Sequence, residues 1–150
     1  FILYSNLYRE HHEMVKIKLL NENATLPTKA NADDAGFDLY APERVDIPPG
    51  CSYLVGTGLA MAIPRGWFGQ VNPRSSMAVK RIRVGARVID TPYRGEVKIN
   101  LHNDSAETYE IKKGDRIAQI IFMQCLGGIE QVDELDTTDR GAGGFGSSGR

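Results

Sequence analysis

The sequence predicts an all-β domain, a sandwich or a jelly-roll-like distorted barrel, and three observations carry that prediction. Apolar residues recur mainly at period two, which places alternate side chains on opposite faces of a strand. Turn formers punctuate the chain, with 16 Gly and 7 Pro in 150 residues. After Pro27 the longest stretch free of both is Glu96–Lys113, so a helical bundle is excluded.

The elements follow in order. Residues 1–13 (FILYSNLYREHHE) have no periodicity and begin on a residue that cannot initiate translation, so we expect a tag remnant, processed leader or upstream read-through. His11 and His12 then have no claim as ligands. The domain is expected over residues 14–139. Val15, Ile17 and Leu19 open the alternation, Leu59, Met61 and Ile63 repeat it, and Val97, Ile99 and Leu101 follow. Pro48-Pro49-Gly50, Pro64-Arg65-Gly66 and Lys113-Gly114-Asp115 mark turns, because Pro fixes φ and Gly permits positive φ. The single expected helix is a turn or two over Ser76–Ile82, capped by Ser75 or Ser76. Arg116–Cys125 (RIAQIIFMQC) is a continuous apolar run whose β-branched residues favour a buried strand over a helix. Residues 140–150 form a Gly-rich arm with five glycines, expected to be mobile until something binds it.

Composition excludes several classes of function. Eighteen Lys and Arg against 19 Asp and Glu leave no basic field for a nucleic-acid backbone. The run Lys80-Arg81-Ile82-Arg83 reads as a solvated face. No apolar run approaches the ~20 residues that span a bilayer. Cys51 and Cys125 have no metal-ligand spacing and read as free thiols of a reducing compartment, with one disulfide between them left open as the alternative. That compartment is expected to be the cytoplasm, or a nucleus or organelle in a eukaryotic cell.

Four segments besides the arm are denser in polar groups than core strands. Ala35-Gly36-Phe37-Asp38-Leu39-Tyr40-Ala41 sets an acid among aromatics. Pro73-Arg74-Ser75-Ser76-Met77-Ala78 offers a guanidinium, two hydroxyls and helix amides, all phosphate-binding groups. Val88-Ile89-Asp90-Thr91-Pro92-Tyr93-Arg94-Gly95 places an acid after two β-branched residues, and Gly114-Asp115-Arg116-Ile117-Ala118-Gln119 ends in an amide. In the arm, Gly-Gly-Phe-Gly-Ser-Ser-Gly combines amides that can cradle an anion with a ring on which a base can stack. Singly, each has a structural explanation: Asp90 as a turn cap, Asp115 within a turn, Arg116 in an ion pair.

Together, AGFDLYA, PRSSMA, VIDTPYRGE, GDRIAQIIF and RGAGGFGSSG resemble, in order and spacing, the five motifs of the homotrimeric all-β dUTPase family. The resemblance covers about Val15 to Gly149. It implies a jelly-roll-like subunit, a homotrimer with three active sites shared between chains, and hydrolysis of dUTP to dUMP and pyrophosphate by water attack at the α-phosphorus. Such a reaction limits uracil incorporation into DNA and supplies dUMP for dTMP synthesis.

The resemblance implies a role for each matching residue, as follows. Asp90 is the acid that positions and activates water, a task suited to a carboxylate accepting on two oxygens. Tyr93 packs beneath the deoxyribose and leaves no room for a 2′-hydroxyl. A hairpin over Arg83–Val88 reads uracil through main-chain groups, with Val84, Gly85, Val88, Ile89 and Lys98 at substrate-contact positions. Arg74, Ser75 and Ser76 contact phosphate, and Gln119 lies near the α-phosphate and water. Arg140 reaches the γ-phosphate, Phe145 stacks on uracil, and Gly146, Ser147 and Ser148 cover the phosphates. Mg²⁺ is implied as cofactor, with Asp38 linked to it through water, because a triphosphate and water can complete octahedral oxygen ligation.

The chain departs from the family's common residues at Ser76, Arg87, Pro92 and Ser148. Arg87 puts the hairpin geometry in doubt, whereas an extended Thr91 is what Pro92 demands. The related dCTP deaminases share the fold and resembling second and third motifs. They carry an Arg where this chain has Val79 and a catalytic Glu where it has Asn100, so deamination lacks a proton shuttle here. A nucleotide sensor that binds without turnover, or a structural jelly roll, is disfavoured by the retained Asp90, Gln119, Arg140 and arm.

Overall fold

The computed structural model describes residues 13–147 and 149. Ser148 and all but Glu13 of the expected leader lie outside the described residues. Among the described residues, the regular secondary structure is almost entirely β. Its strands are β1 (Lys16–Leu19), β2 (Phe37–Tyr40), β3 (Val45–Ile47), β4 (Ser52–Gly56), β5 (Leu59–Ala62) and β6 (Trp67–Asn72). One short helix, α1 (Ser75–Val79), precedes β7 (Ile82–Gly85), β8 (Val88–Ile89), β9 (Lys98–Asn103), β10 (Tyr109–Ile111) and β11 (Arg116–Gln124).

All pairings are antiparallel, in the sheets β2-β11-β6-β8, β4-β9-β7, β1-β5 and β10-β3. Neighbours in these sheets are often distant in sequence, the mark of a jelly-roll-like arrangement rather than a meander. The apolar run at Arg116–Cys125 is a strand, as its β-branched composition predicts. β11 is flanked on both sides, and Ile117, Ala118 and Ile120 are fully buried. Leu59, Met61 and Ile63, with Val97, Ile99 and Leu101, join the same core. At roughly 25 cal/mol per Å² of apolar surface, this aliphatic burial is the main favourable term in folding. The expected turns hold, and Gly50, Gly66 and Gly114 all adopt positive φ.

Three expectations need correction. The helix covers Ser75–Val79, not Ser76–Ile82, and its N-cap is Arg74 with no side-chain capping bond. Ile82 is instead drawn into β7, where its fully buried side chain pairs opposite Asn103. The Arg83–Val88 segment is not a paired hairpin: β7 pairs with β9, whereas β8 pairs with β6. A crossover between two sheets, with Ala86 at φ 43°, replaces it. Finally, β1 pairs only with β5, so Leu19 continues the alternation but stays 46% exposed.

Beyond β11 the chain leaves the barrel. Residues 123–142 are all exposed, including Leu126, Ile129 and Leu135. Cys51 and Cys125 are exposed free thiols. No helix among the described residues is long and apolar enough to cross a membrane.

Candidate active site

Two groups of predicted residues gather at opposite ends of one sheet. At the first end, a cross-strand row sets Asp38 of β2 opposite Gln119 of β11, which faces Asn72 of β6. Arg74 follows two residues after Asn72, and its Nε lies 3.2 Å from Asp38 Oδ1. Arg116 Nη1 approaches Asp38 Oδ2 at 3.7 Å. Gln119 donates from Nε2 to the Pro73 carbonyl at 3.1 Å, which holds its amide against the start of α1. The fit requires Gly36: a Cβ there would stand 2.5 Å from Gln119 Oε1. Ser75 and Ser76 are exposed beside this cluster. The group therefore presents an arginine, two hydroxyls and an amide around one part-buried carboxylate, a donor-rich surface suited to phosphate oxygens.

The second group surrounds Asp90, just beyond β8. A cleft of about 240 Å³ is lined by Leu54, Val88, Ile89, Asp90, Tyr93, Glu96 and Lys98. The Asp90 carboxylate is exposed and engages no other described side chain, while its carbonyl accepts from the Tyr93 amide at 3.1 Å. The loop is braced on three sides. Thr91 Oγ1 donates to the Ile63 carbonyl at 2.7 Å, Arg94 Nη1 donates to the Thr91 carbonyl at 2.6 Å, and Tyr93 Oη donates to the Glu96 carbonyl at 2.9 Å. Pro92 is accommodated because the neighbouring residues make these bonds. Val84 and Ile89 are buried, so only their main chains can face a ligand, whereas Val88 and Lys98 are exposed.

Arg87 explains its own departure. Its Nε donates to the Val71 carbonyl at 3.0 Å, Nη2 bonds Asn72 Oδ1, and the Arg87 carbonyl accepts from the Val71 amide at 2.7 Å. It fastens the crossover to β6 instead of disturbing it. Asp115 proves structural, accepting the Lys112 amide at 2.8 Å within its turn.

The arm forms a third group. Arg140 Nε donates to the Gly143 carbonyl at 2.7 Å, and Arg140, Gly143, Gly144, Phe145, Gly146 and Ser147 line an open bowl. Its hydrogen bonds among the described residues are all local, and Phe145 is fully exposed at φ 53°. The structure does not bring the arm to either end of the sheet.

The first two groups do not meet within one chain. Gln119 faces Asn72, whereas Ile89 faces Gly69 and Asp90 continues toward Phe68. Four residues along β6 and two strand spacings across it separate Asp90 from Gln119 by roughly 16 Å of backbone. For Mg²⁺, the described residues contain no cluster of three His, Cys, Asp or Glu that would ligate it. Asp38 is already engaged by two arginines, a donor set that fits an outer-shell contact and not an inner-shell ligand.

The sequence model of the dUTPase family matches residues 22–149, a span that includes every one of these groups. The chain belongs to the dUTPase family. It is 47% identical to the deoxyuridine 5′-triphosphate nucleotidohydrolase of Debaryomyces hansenii over 146 residues, 95% of this chain and 91% of that protein. Among solved structures, a Staphylococcus bacteriophage 80alpha dUTPase mutant with dUpNHpp superimposes at a TM-score of 0.85 and 29% identity, covering 91% of this chain and 99% of that one. The dUTPase of Staphylococcus aureus phage phi11, described with a structural Mg(II) ion, superimposes at 0.76 and 26% identity over 83% of this chain and 99% of that one.

A larger apolar cleft of about 440 Å³, lined by Leu26, Phe37, Trp67 and Phe122 among others, shares no residue with the dUTPase motifs' candidate ligands. Glu96 was missed by the sequence reading as a site residue. It stands within the quoted VIDTPYRGE motif, and only the folded loop sets it at the border of the Asp90 cleft with its carboxylate toward the Gly58 amide.

Proposed function

We propose that this protein hydrolyses dUTP to dUMP and pyrophosphate by attack of water on the α-phosphorus. The observation that carries the reading is the cleft in which an unengaged carboxylate, Asp90, lies beside the braced ring of Tyr93 and the Val88–Ile89 backbone. Asp90 accepts hydrogen bonds from the water and takes up its proton as the new P–O bond forms. The bond from the α-phosphorus to the bridging oxygen then breaks, and pyrophosphate leaves. Tyr93 underlies the deoxyribose. Main-chain groups of Val84, Gly85, Val88, Ile89 and Lys98 read the uracil edge.

Arg74, Ser75 and Ser76 hold phosphate, and Gln119 orients the α-phosphate and water. Arg140 neutralises the γ-phosphate while Phe145 covers the base, with Gly146, Ser147 and Ser148 over the phosphates. Mg²⁺ is the metal that suits these residues, and Asp38 would hold it through water while the substrate's phosphate oxygens supplied its hard oxygen ligands. When bound it offsets triphosphate charge, in the manner expected of a site that works by positioning and electrostatics. The ~16 Å between Asp90 and Gln119 supports an active site completed by another copy of the chain, and we assign a homotrimer with three shared sites.

A substrate panel tests this reading. With Mg²⁺ present, dUTP hydrolysis is expected to exceed that of dCTP, dTTP and UTP by at least ~10²-fold, with pyrophosphate as product. Ammonia release from dCTP would point instead to deamination, and binding without pyrophosphate release to a sensor.

A further inference from the structure

Glu96 occupies a position whose two ends do different work. Its carbonyl accepts the Tyr93 hydroxyl at 2.9 Å. Its carboxylate turns the other way, and Oε2 accepts the amide of Gly58 at 3.0 Å in a part-buried setting. That amide belongs to the turn between β4 and β5, where Gly58 has φ 71° and Thr57 is fully buried. Thr57 Oγ1 donates to the Val97 carbonyl at 2.6 Å, and the Val97 amide donates to Leu59 at 2.8 Å. The turn is therefore welded to the core, and Glu96 hangs the Asp90 loop from it.

The surrounding glycines are shaped to this arrangement. A Cβ on Gly56 would stand 2.6 Å from Glu96 Oε2, and a Cβ on Gly95 would stand 2.6 Å from Tyr93 Oη and 2.8 Å from its Cζ. The hydroxyl end of the Tyr93 ring thus lies against bare backbone at Gly95. The ring remains 44% exposed and borders the Asp90 cleft. Its height over the cleft is limited by how firmly residue 96 is held.

We propose that Glu96 is a positioning residue for sugar selectivity: by clasping the Gly58 amide it fixes the Tyr93 ring, and with it the exclusion of ribonucleotides. The inference rests on the reading of Tyr93 as the platform beneath the deoxyribose. Steric exclusion of a hydroxyl depends on a wall that cannot retreat, and a wall about an ångström too loose fails even when every contacting residue is present. A carboxylate holding a main-chain amide is a charge-assisted bond, stronger than a neutral one. Without it, the carbonyl that tethers Tyr93 can move with its loop.

The test compares kcat/KM for dUTP and UTP in wild type, Glu96→Ala, Glu96→Gln and Gly56→Ala. Wild type must first hydrolyse dUTP in preference to UTP; failure there overturns the proposed function itself and leaves no selectivity for Glu96 to set. Given that preference, Glu96→Ala is expected to lower the dUTP:UTP ratio about tenfold, through gained UTP turnover as well as lost dUTP turnover. Gly56→Ala should act alike, because its methyl group occupies the carboxylate's place. Glu96→Gln keeps a carbonyl acceptor for Gly58 and should restore most of the ratio. An unchanged ratio in folded Glu96→Ala overturns the proposal, as does an equal fall for both nucleotides, which marks a purely structural part. Should Glu96→Ala not fold, the ratio in Gly56→Ala decides in the same way.

Discussion

Gly36 illustrates how a residue with no side chain can set the place of an amide, that of Gln119, which we propose orients the attacking water. Its bare α-carbon leaves the space that Gln119 Oε1 occupies, while Gln119 Nε2 is held by the Pro73 carbonyl. A methyl group at Gly36 meets the far end of a flexible side chain, so the fold can yield by swinging Gln119 aside. Gly36→Ala is therefore expected to melt within a few degrees of wild type and yet lose ~10-fold or more in kcat, the scale of a mispositioned group. Steady-state kinetics beside a thermal melt checks this; a normal kcat would remove Gln119 from the water-orienting role. Arg87 shows the opposite case, a bulky side chain in the crossover between β7 and β8 that is tied down by bonds to Val71 and Asn72.

Among the elements, β11 and the arm that follows it divide labour. β11 is pinned between β2 and β6 and buries Ile117, Ala118 and Ile120, so it belongs to the stability of the barrel. The arm buries almost nothing and closes its hydrogen bonds upon itself. Ending the chain before Arg140 should therefore leave the melting temperature and oligomeric state unchanged while removing most dUTP hydrolysis. Sedimentation and pyrophosphate release measure the two halves of that expectation. Full activity in the shortened chain would reduce the arm to a linker.

For the whole molecule, the decisive quantity is the spacing across the β2-β11-β6-β8 sheet. Asp90 and Gln119 stand too far apart in one chain to share a single water, at roughly 16 Å of backbone against hydrogen-bond reach of ~3 Å. Asp90→Asn alone is expected to lower turnover by about two orders of magnitude, the loss of a general base. Gln119→Ala should be impaired as well. If each site draws Asp90 from one chain and Gln119 from another, co-assembling the two variants in equal amounts should restore about a quarter of wild-type activity, the statistical share of fully intact sites. Recovery absent after unfolding and refolding the mixture would place both residues in one subunit's site.

Much of this architecture was legible along the chain. Period-two alternation announced β5 and β9, the β-branched run announced β11, and Gly50, Gly66 and Gly114 announced their turns, because strand faces and backbone handedness are local properties. Family membership was legible too, since the motifs recur in order and spacing. What spacing could not decide was pairing. Ile82 left the expected helix because a buried place opposite Asn103 outweighed local helix preference, and Arg83–Val88 split between two sheets because β9 and β6 compete for its ends. The same pairing sets Asp90 and Gln119 at opposite ends of β6 and turns Glu96 toward Gly58. Sequence alone determined the strands β1, β5, β9 and β11, the turns at Gly50, Gly66 and Gly114, and the chemical groups available. Only the tertiary structure decided which groups face one another, because strand partners are chosen by long-range burial that no local stretch encodes.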